Sequence, residues 1–106
     1  MAVNIFETDY CDGIHVGDKF LCFKTASYDD SNPHEVIFKL GKVYESAKLG
    51  CITDEGGNKG HFFTYPFWTQ YLINISSKEI DLSPLKDIPL GDRLLITSLL
   101  KKYRNG

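Results

Sequence analysis

The sequence predicts a mainly β fold: a small, strongly bent barrel of five or six short antiparallel strands, followed by a C-terminal α-helix. Three observations carry this. Runs of β-branched and aromatic residues recur between tight turn signals from Lys19 to Ile75. Glu55-Gly56-Gly57-Asn58 supplies residues that tolerate positive φ at the tip of a hairpin. The only sustained helical period comes late, between Asp92 and Tyr103.

Residues 1–15 mix isolated apolar positions with Asp9, Asp12 and Gly13 and read as an irregular lead-in with room for one short edge strand. After the turn at Val16-Gly17-Asp18, Lys19 to Thr25 alternates Leu21 and Phe23 with Phe20 and Cys22. Both faces are apolar, which predicts a central strand. Ser27 to His34 gathers Asp29, Asp30, Ser31, Asn32 and Pro33 and reads as an acidic surface loop. Glu35 to Leu40 is the next expected strand, Gly41-Lys42 a tight turn or bulge, and Val43 to Lys48 an extended continuation.

Cys51 to Asp54 and Lys59 to Thr64 are the expected arms of the glycine-rich hairpin, and Pro66, lacking an N–H, ends the second arm. Phe67 to Gln70 is then expected as one helical turn and Leu72 to Ile75 as a last strand. Residues 77–90 contain Pro84 and Pro89 and read as an ordered linker, with a short helical turn opening at Ser83-Pro84. In the final segment Leu95, Leu99 and Tyr103 recur at i+4, with Ile96 and Leu100 widening the stripe. Asp92 suits an N-cap, and Lys101, Lys102 and Arg104 suit the negative end of the helix dipole. The expected organisation is therefore a barrel over residues 1–76, a linker over 77–90 and a helix over 91–106, the last a candidate element for homo-oligomerisation.

Composition narrows the function classes. At 106 residues the chain is one domain with enough length for a core of its own. The charge of −2 and pI near 5.8 exclude attachment to duplex DNA mainly through counterion release. No apolar run is long enough to cross a bilayer, and the acidic start MAVNIFETDYCDG lacks the basic region of a secretory signal. Cys11, Cys22 and Cys51 are odd in number and widely spaced, unlike a disulfide framework, so the expected setting is the reducing cytoplasm.

Catalytic constellations are thin. Cys22, Cys51 and His61 form a nucleophile and base only if the fold brings them together, and free cysteines on strands are usually buried hydrophobes. Cys11-x-x-x-His15 is a single pair without a second at metal-ligand spacing. Gly56-Gly57-Asn58-Lys59-Gly60 lacks the ending and the following helix of a phosphate-binding loop. No catalytic residue, metal or cofactor is expected, and the chain reads as a non-enzyme.

Binding is better supported. Phe62, Phe63, Tyr65, Phe67, Trp68 and Tyr71 fall within ten positions. Phe62, Phe67 and Trp68 are assigned to the core. Lys59, His61, Tyr65 and Tyr71 are the ligand-binding candidates, with rings for stacking on a base and a charge for a phosphate. An alternative surface for a protein partner is Tyr28, Asp29, Asp30 and Glu35 in and beside the acidic loop.

The segments VGDKFLCFK, FKLGKVYES and CITDEGGNKGHFFTYPFWTQYL resemble a group of small phage-encoded proteins with an SH3-like barrel. Their recurring form is a GDKF-type first strand, a KGKxYE-like turn, an IxDxxG hairpin and an aromatic W-x-x-[YF] close. Here the turn is Leu40-Gly41-Lys42-Val43-Tyr44-Glu45, with leucine where lysine is usual, and the close is Trp68-Thr69-Gln70-Tyr71. The match covers residues 16–76 and leaves out the tail. The resemblance implies viral origin and a non-enzymatic role in the infected bacterium. Two forms of counter-defence follow from it: sequestration of a nucleotide or cyclic oligonucleotide immune signal, or, as an alternative, inhibition of a host defence nuclease or other host enzyme by direct contact. The group carries no ligand motif that these positions match.

Overall fold

A computed structural model of the chain describes residues 10–29, 32–77, 80 and 82–105. Among these residues seven short strands, two helices and one 3₁₀ turn follow in order: β1 Tyr10–Cys11, β2 Ile14–His15, β3 Lys19–Cys22, β4 Ala26–Asp29, β5 Asn32–Phe38, β6 Val43–Glu45, α1 Tyr65–Trp68, β7 Leu72–Asn74, the 3₁₀ turn Ser83–Asp87 and α2 Leu90–Asn105. All pairings are antiparallel. They make three separate sheets, β1–β2, β6–β3–β7 and β4–β5, and no ladder closes them into one sheet among the described residues.

The centre is β3, as its two apolar faces require. Phe20 pairs with Tyr44 on β6 and with Asn74 on β7, and Leu21 with Val43 and Ile73. Phe20 and Cys22 point into one cluster with Ile37, Phe38, Tyr44, Ile52, Phe63, Trp68 and Leu72. Leu21 and Phe23 point the other way, against Ile73, Ile75, Leu85, Ile88, Ile96 and Leu100. The central sheet is thus covered on both faces, and α2 with the 3₁₀ turn forms one of the covers. Ile96 is fully buried there.

Several expectations change in detail. The lead-in forms the β1–β2 hairpin, whose tip Asp12-Gly13 has φ of 53° and 80°. Residues 1–9 lie outside the described residues. The expected acidic loop is largely strand: Ala26 pairs with Phe38, Ser27 with Val36 and Asp29 with Asn32, with bulges between. The glycine-rich hairpin is held by Ile52 N–H to His61 O, Asp54 N–H to Asn58 O and Phe63 N–H to Gly50 O, yet only Cys51 and Phe62 form a bridge across it. Glu55 N–H leaves the hairpin to donate to Ile37 O, which breaks the ladder.

The helical turn falls two residues earlier than its aromatic pattern suggested, because Pro66 fits the first turn of α1 and Phe67 and Trp68 both donate to Thr64 O. The last helix also starts earlier. Leu90 is its first residue, so Asp92 sits in the first turn, still favourable to the dipole, and is not the N-cap. No described helix is long and apolar enough to cross a membrane.

Candidate groove beside Tyr65

The β1–β2 hairpin and α1 are built against each other. Trp68 Nε1–H donates to Asp12 O at 2.8 Å, and Tyr65 N–H reaches Asp12 Oδ1 at 3.4 Å. Gly13 lies under both rings: a Cβ there would stand 2.7 Å from Tyr65 Cδ2 and 3.0 Å from Trp68 Cζ2. Trp68 meets Phe20 edge-on at 5.1 Å and Tyr65 edge-on at 5.5 Å. Trp68 is therefore core, while Tyr65 remains 56% exposed although its ring is fixed from below and from one side.

Tyr65 and Trp68 line a groove of about 790 Å³ that runs past His15, Asp18 and Asn74 to Ser77 and Pro84. The volume suits a small organic ligand. Asp18 Oδ2 accepts from Asn74 Nδ2 at 2.8 Å and from His15 N–H at 3.0 Å, and lies 3.5 Å from His15 Nδ1. These contacts pin the carboxylate between β2, β3 and β7. Among the described residues no lysine or arginine lines this groove.

Thr69 and Pro84 also line a second groove of about 740 Å³, which continues over Lys24, Gln70 and Lys86 to Asp87 and Asp92. The two grooves therefore share Thr69 and Pro84 as a common border, the Thr69–Pro84 saddle.

Of the four ligand candidates from the sequence, Tyr65 alone lines the first groove. Lys59 is exposed in the hairpin tip. His61 bonds the buried Asp54, Nδ1 to Oδ2 at 3.2 Å, and packs on Phe63 at 4.1 Å between ring centres. Tyr71 packs on Phe67 at 5.2 Å and carries Lys24 Nζ 5.9 Å from its ring centre. Since Phe63 and Phe67 stack at 5.7 Å, His61 and Tyr71 stand at opposite ends of one file of rings, away from Tyr65. Phe67 is half-buried against the core as expected, whereas Phe62, also assigned to the core, is 50% exposed and lies over Gly50. Glycine at 50 is what admits its ring so close to the backbone.

For the alternative surface, Tyr28 and Asp29 belong to β4 and Glu35 to β5, and Asp30 lies outside the described residues. The sequence missed Asp12, Gly13, Asp18 and Asn74. The adjacent Asp12-Gly13 pair was a turn signal, but its contact with residues far along the chain has no local signature.

Cys22 is fully buried, its Sγ donates to Lys24 O at 3.0 Å, and burial pushes the thiol up to about 12. It is a structural thiol at neutral pH. Cys51 is buried beside the hairpin bridge, and Cys11 Sγ lies 3.5 Å from Asp12 Oδ2. Among the described residues no three His, Cys, Asp or Glu side chains come together to hold a metal ion.

In comparisons with known proteins, no family model matches the chain, and neither does any curated protein or solved structure.

Proposed function

We propose that this chain is a non-enzymatic binding protein that stacks a nucleobase on Tyr65, and that it serves phage counter-defence by sequestering a nucleotide or cyclic oligonucleotide immune signal in the infected bacterial cytoplasm. The observation that carries the binding reading is Tyr65 itself. A large ring that is 56% exposed and yet held by Gly13, Asp12 and Trp68 at the rim of a groove offers stacking at little cost in side-chain freedom. The phage setting rests on the resemblance of residues 16–76 to SH3-like proteins. Two features support that fold assignment. Antiparallel β6–β3–β7 forms a tightly connected centre, and Gly17 and Gly41 occupy its turns with φ of 96° and 87°.

Homo-oligomerisation through α2 belongs to the same proposal, with a narrower surface than the sequence implied. Ile96 and Leu100 pack on the chain's own core, so a second copy would meet Leu90, Leu94 and Leu95.

Calorimetry against nucleosides and cyclic di- and trinucleotides tests the reading. Binding to the intact protein, weakened about tenfold or more by Tyr65→Ala, is expected from the loss of one stacked base. No heat with any of them rejects it. Recovery of a stoichiometric host protein from lysate, together with silent calorimetry, would transfer the assignment to a protein-interaction inhibitor.

A further inference from the structure

We infer that the two grooves are halves of one site, and that its ligand contains at least one phosphodiester: the base lies against Tyr65 and the phosphate crosses the Thr69–Pro84 saddle toward Lys24 and Lys86. This rests on the nucleobase reading and narrows its ligand to one that carries a phosphodiester.

Charge separates the halves. Among the described residues the first groove presents rings, the Asp18 carboxylate and no lysine or arginine, which favours a neutral base there over a phosphate. The second groove presents Lys24 and Lys86. Asp87 and Asp92 balance them in number, so this half is not broadly cationic, but it is where a phosphate finds an ammonium group. Lys24 Nζ lies 5.9 Å from the Tyr71 ring centre, a contact that restrains the ammonium group. Lys86 is exposed on the 3₁₀ turn, and that turn is tied to α2 by Arg93, whose Nε and Nη2 donate to Leu85 O and Lys86 O at 3.1 and 3.0 Å.

The saddle suits a passing sugar. Thr69 Oγ1 donates to Tyr65 O at 2.8 Å, which fixes the hydroxyl between the two halves and leaves its oxygen able to accept. Pro84 offers a flat apolar wall on the other side. A ligand long enough to use both halves gains a contact that a nucleoside cannot make.

The experiment compares adenosine, diadenosine monophosphate and a cyclic dinucleotide on the intact protein at pH 8, by calorimetry at low and moderate salt. One or both phosphodiester ligands should bind about tenfold tighter than adenosine, the gain of one charge-assisted contact. That gain should shrink with added salt. Lys86→Ala should remove most of it and leave adenosine unchanged, and Lys86→Arg should restore it. If adenosine binds and neither phosphodiester ligand binds tighter, the joined site is wrong while the Tyr65 reading stands. A gain that survives both Lys86→Ala and Lys24→Ala also overturns it. If nothing binds, both fall. Lys86 is exposed, so its substitution leaves the core intact, and circular dichroism checks this.

Discussion

The indole N–H of Trp68 donates to the backbone carbonyl of Asp12 across 2.8 Å, joining a buried ring of α1 to the tip of the first hairpin. Trp68→Phe would keep a ring beside Phe20 and remove the donor. An acceptor left without its partner in a part-buried place costs about 1–3 kcal/mol. Urea unfolding followed by circular dichroism should show a loss of that size. An unchanged midpoint would mean that water replaces the indole without penalty.

Gly13 and Gly57 form a matched pair for separating backbone strain from ring contact. Both have positive φ, 80° and 86°, but a Cβ at Gly57 meets open space while one at Gly13 stands 2.7 Å from Tyr65. Gly57→Ala should cost about 1–2 kcal/mol, the usual penalty of a left-handed residue with a side chain. Gly13→Ala should cost more and should also move the Tyr65 ring resonances in NMR spectra. Equal losses with Tyr65 undisturbed would show that the ring yields freely.

The C-terminal helix is an integral cover of the core. Ile96 is fully buried and Leu94 on the same helix is 62% exposed. Ile96→Ala should destabilise by about 2–5 kcal/mol, and Leu94→Ala by no more than about 0.5 kcal/mol. Removing residues 90–106 would uncover Leu21, Phe23, Ile73 and Ile75 together, so the truncated chain should lose its cooperative unfolding transition. A truncated chain that still melts sharply would make the helix a separable appendage.

These sites differ in how far local pattern reveals them. The two apolar faces of Lys19 to Thr25 announced a central strand, and the i+4 stripe announced a helix, because both report burial through spacing within one element. Spacing does not say what an element packs against. The stripe of α2 suits a second copy or the chain's own core alike, and Leu21 and Phe23, the second face of β3, take Ile96 and Leu100 of it as cover. Likewise the rings of residues 61–71 read as one cluster. The short helix α1 and the turn at residues 69–71 divide them into a file of packed rings ending at His61 and Tyr71 and a separate exposed ring at Tyr65. Asp12 and Gly13 were invisible as site residues because their partners lie more than fifty positions away.

Alkaline pH should unfold this chain through two buried acids. The Cys22 thiol, ordinarily near 9.0, is pushed up to about 12 by burial. The Tyr44 phenol, ordinarily near 10.0, is also raised, first by burial and then by its 2.6 Å hydrogen bond to Glu55 Oε1. Both stay protonated in the folded chain where the unfolded chain has released its proton. Their stabilisation is therefore complete below the unfolded values and falls as pH rises beyond them, by up to about 1.4 kcal/mol per pH unit for each group. Glu55 behaves oppositely: donation from Tyr44 and then Lys42 lowers its pKa, so its contribution is present above the usual carboxylate range and disappears in acid. Urea midpoints between pH 7.5 and 11 should decline from about pH 9. Cys22→Ala should delay that decline, and Tyr44→Phe should flatten its upper part while lowering stability at neutral pH through loss of the Glu55 and Lys39 contacts. Parallel curves for wild type and Cys22→Ala across this range would remove the thiol from the account and leave Tyr44 to carry it.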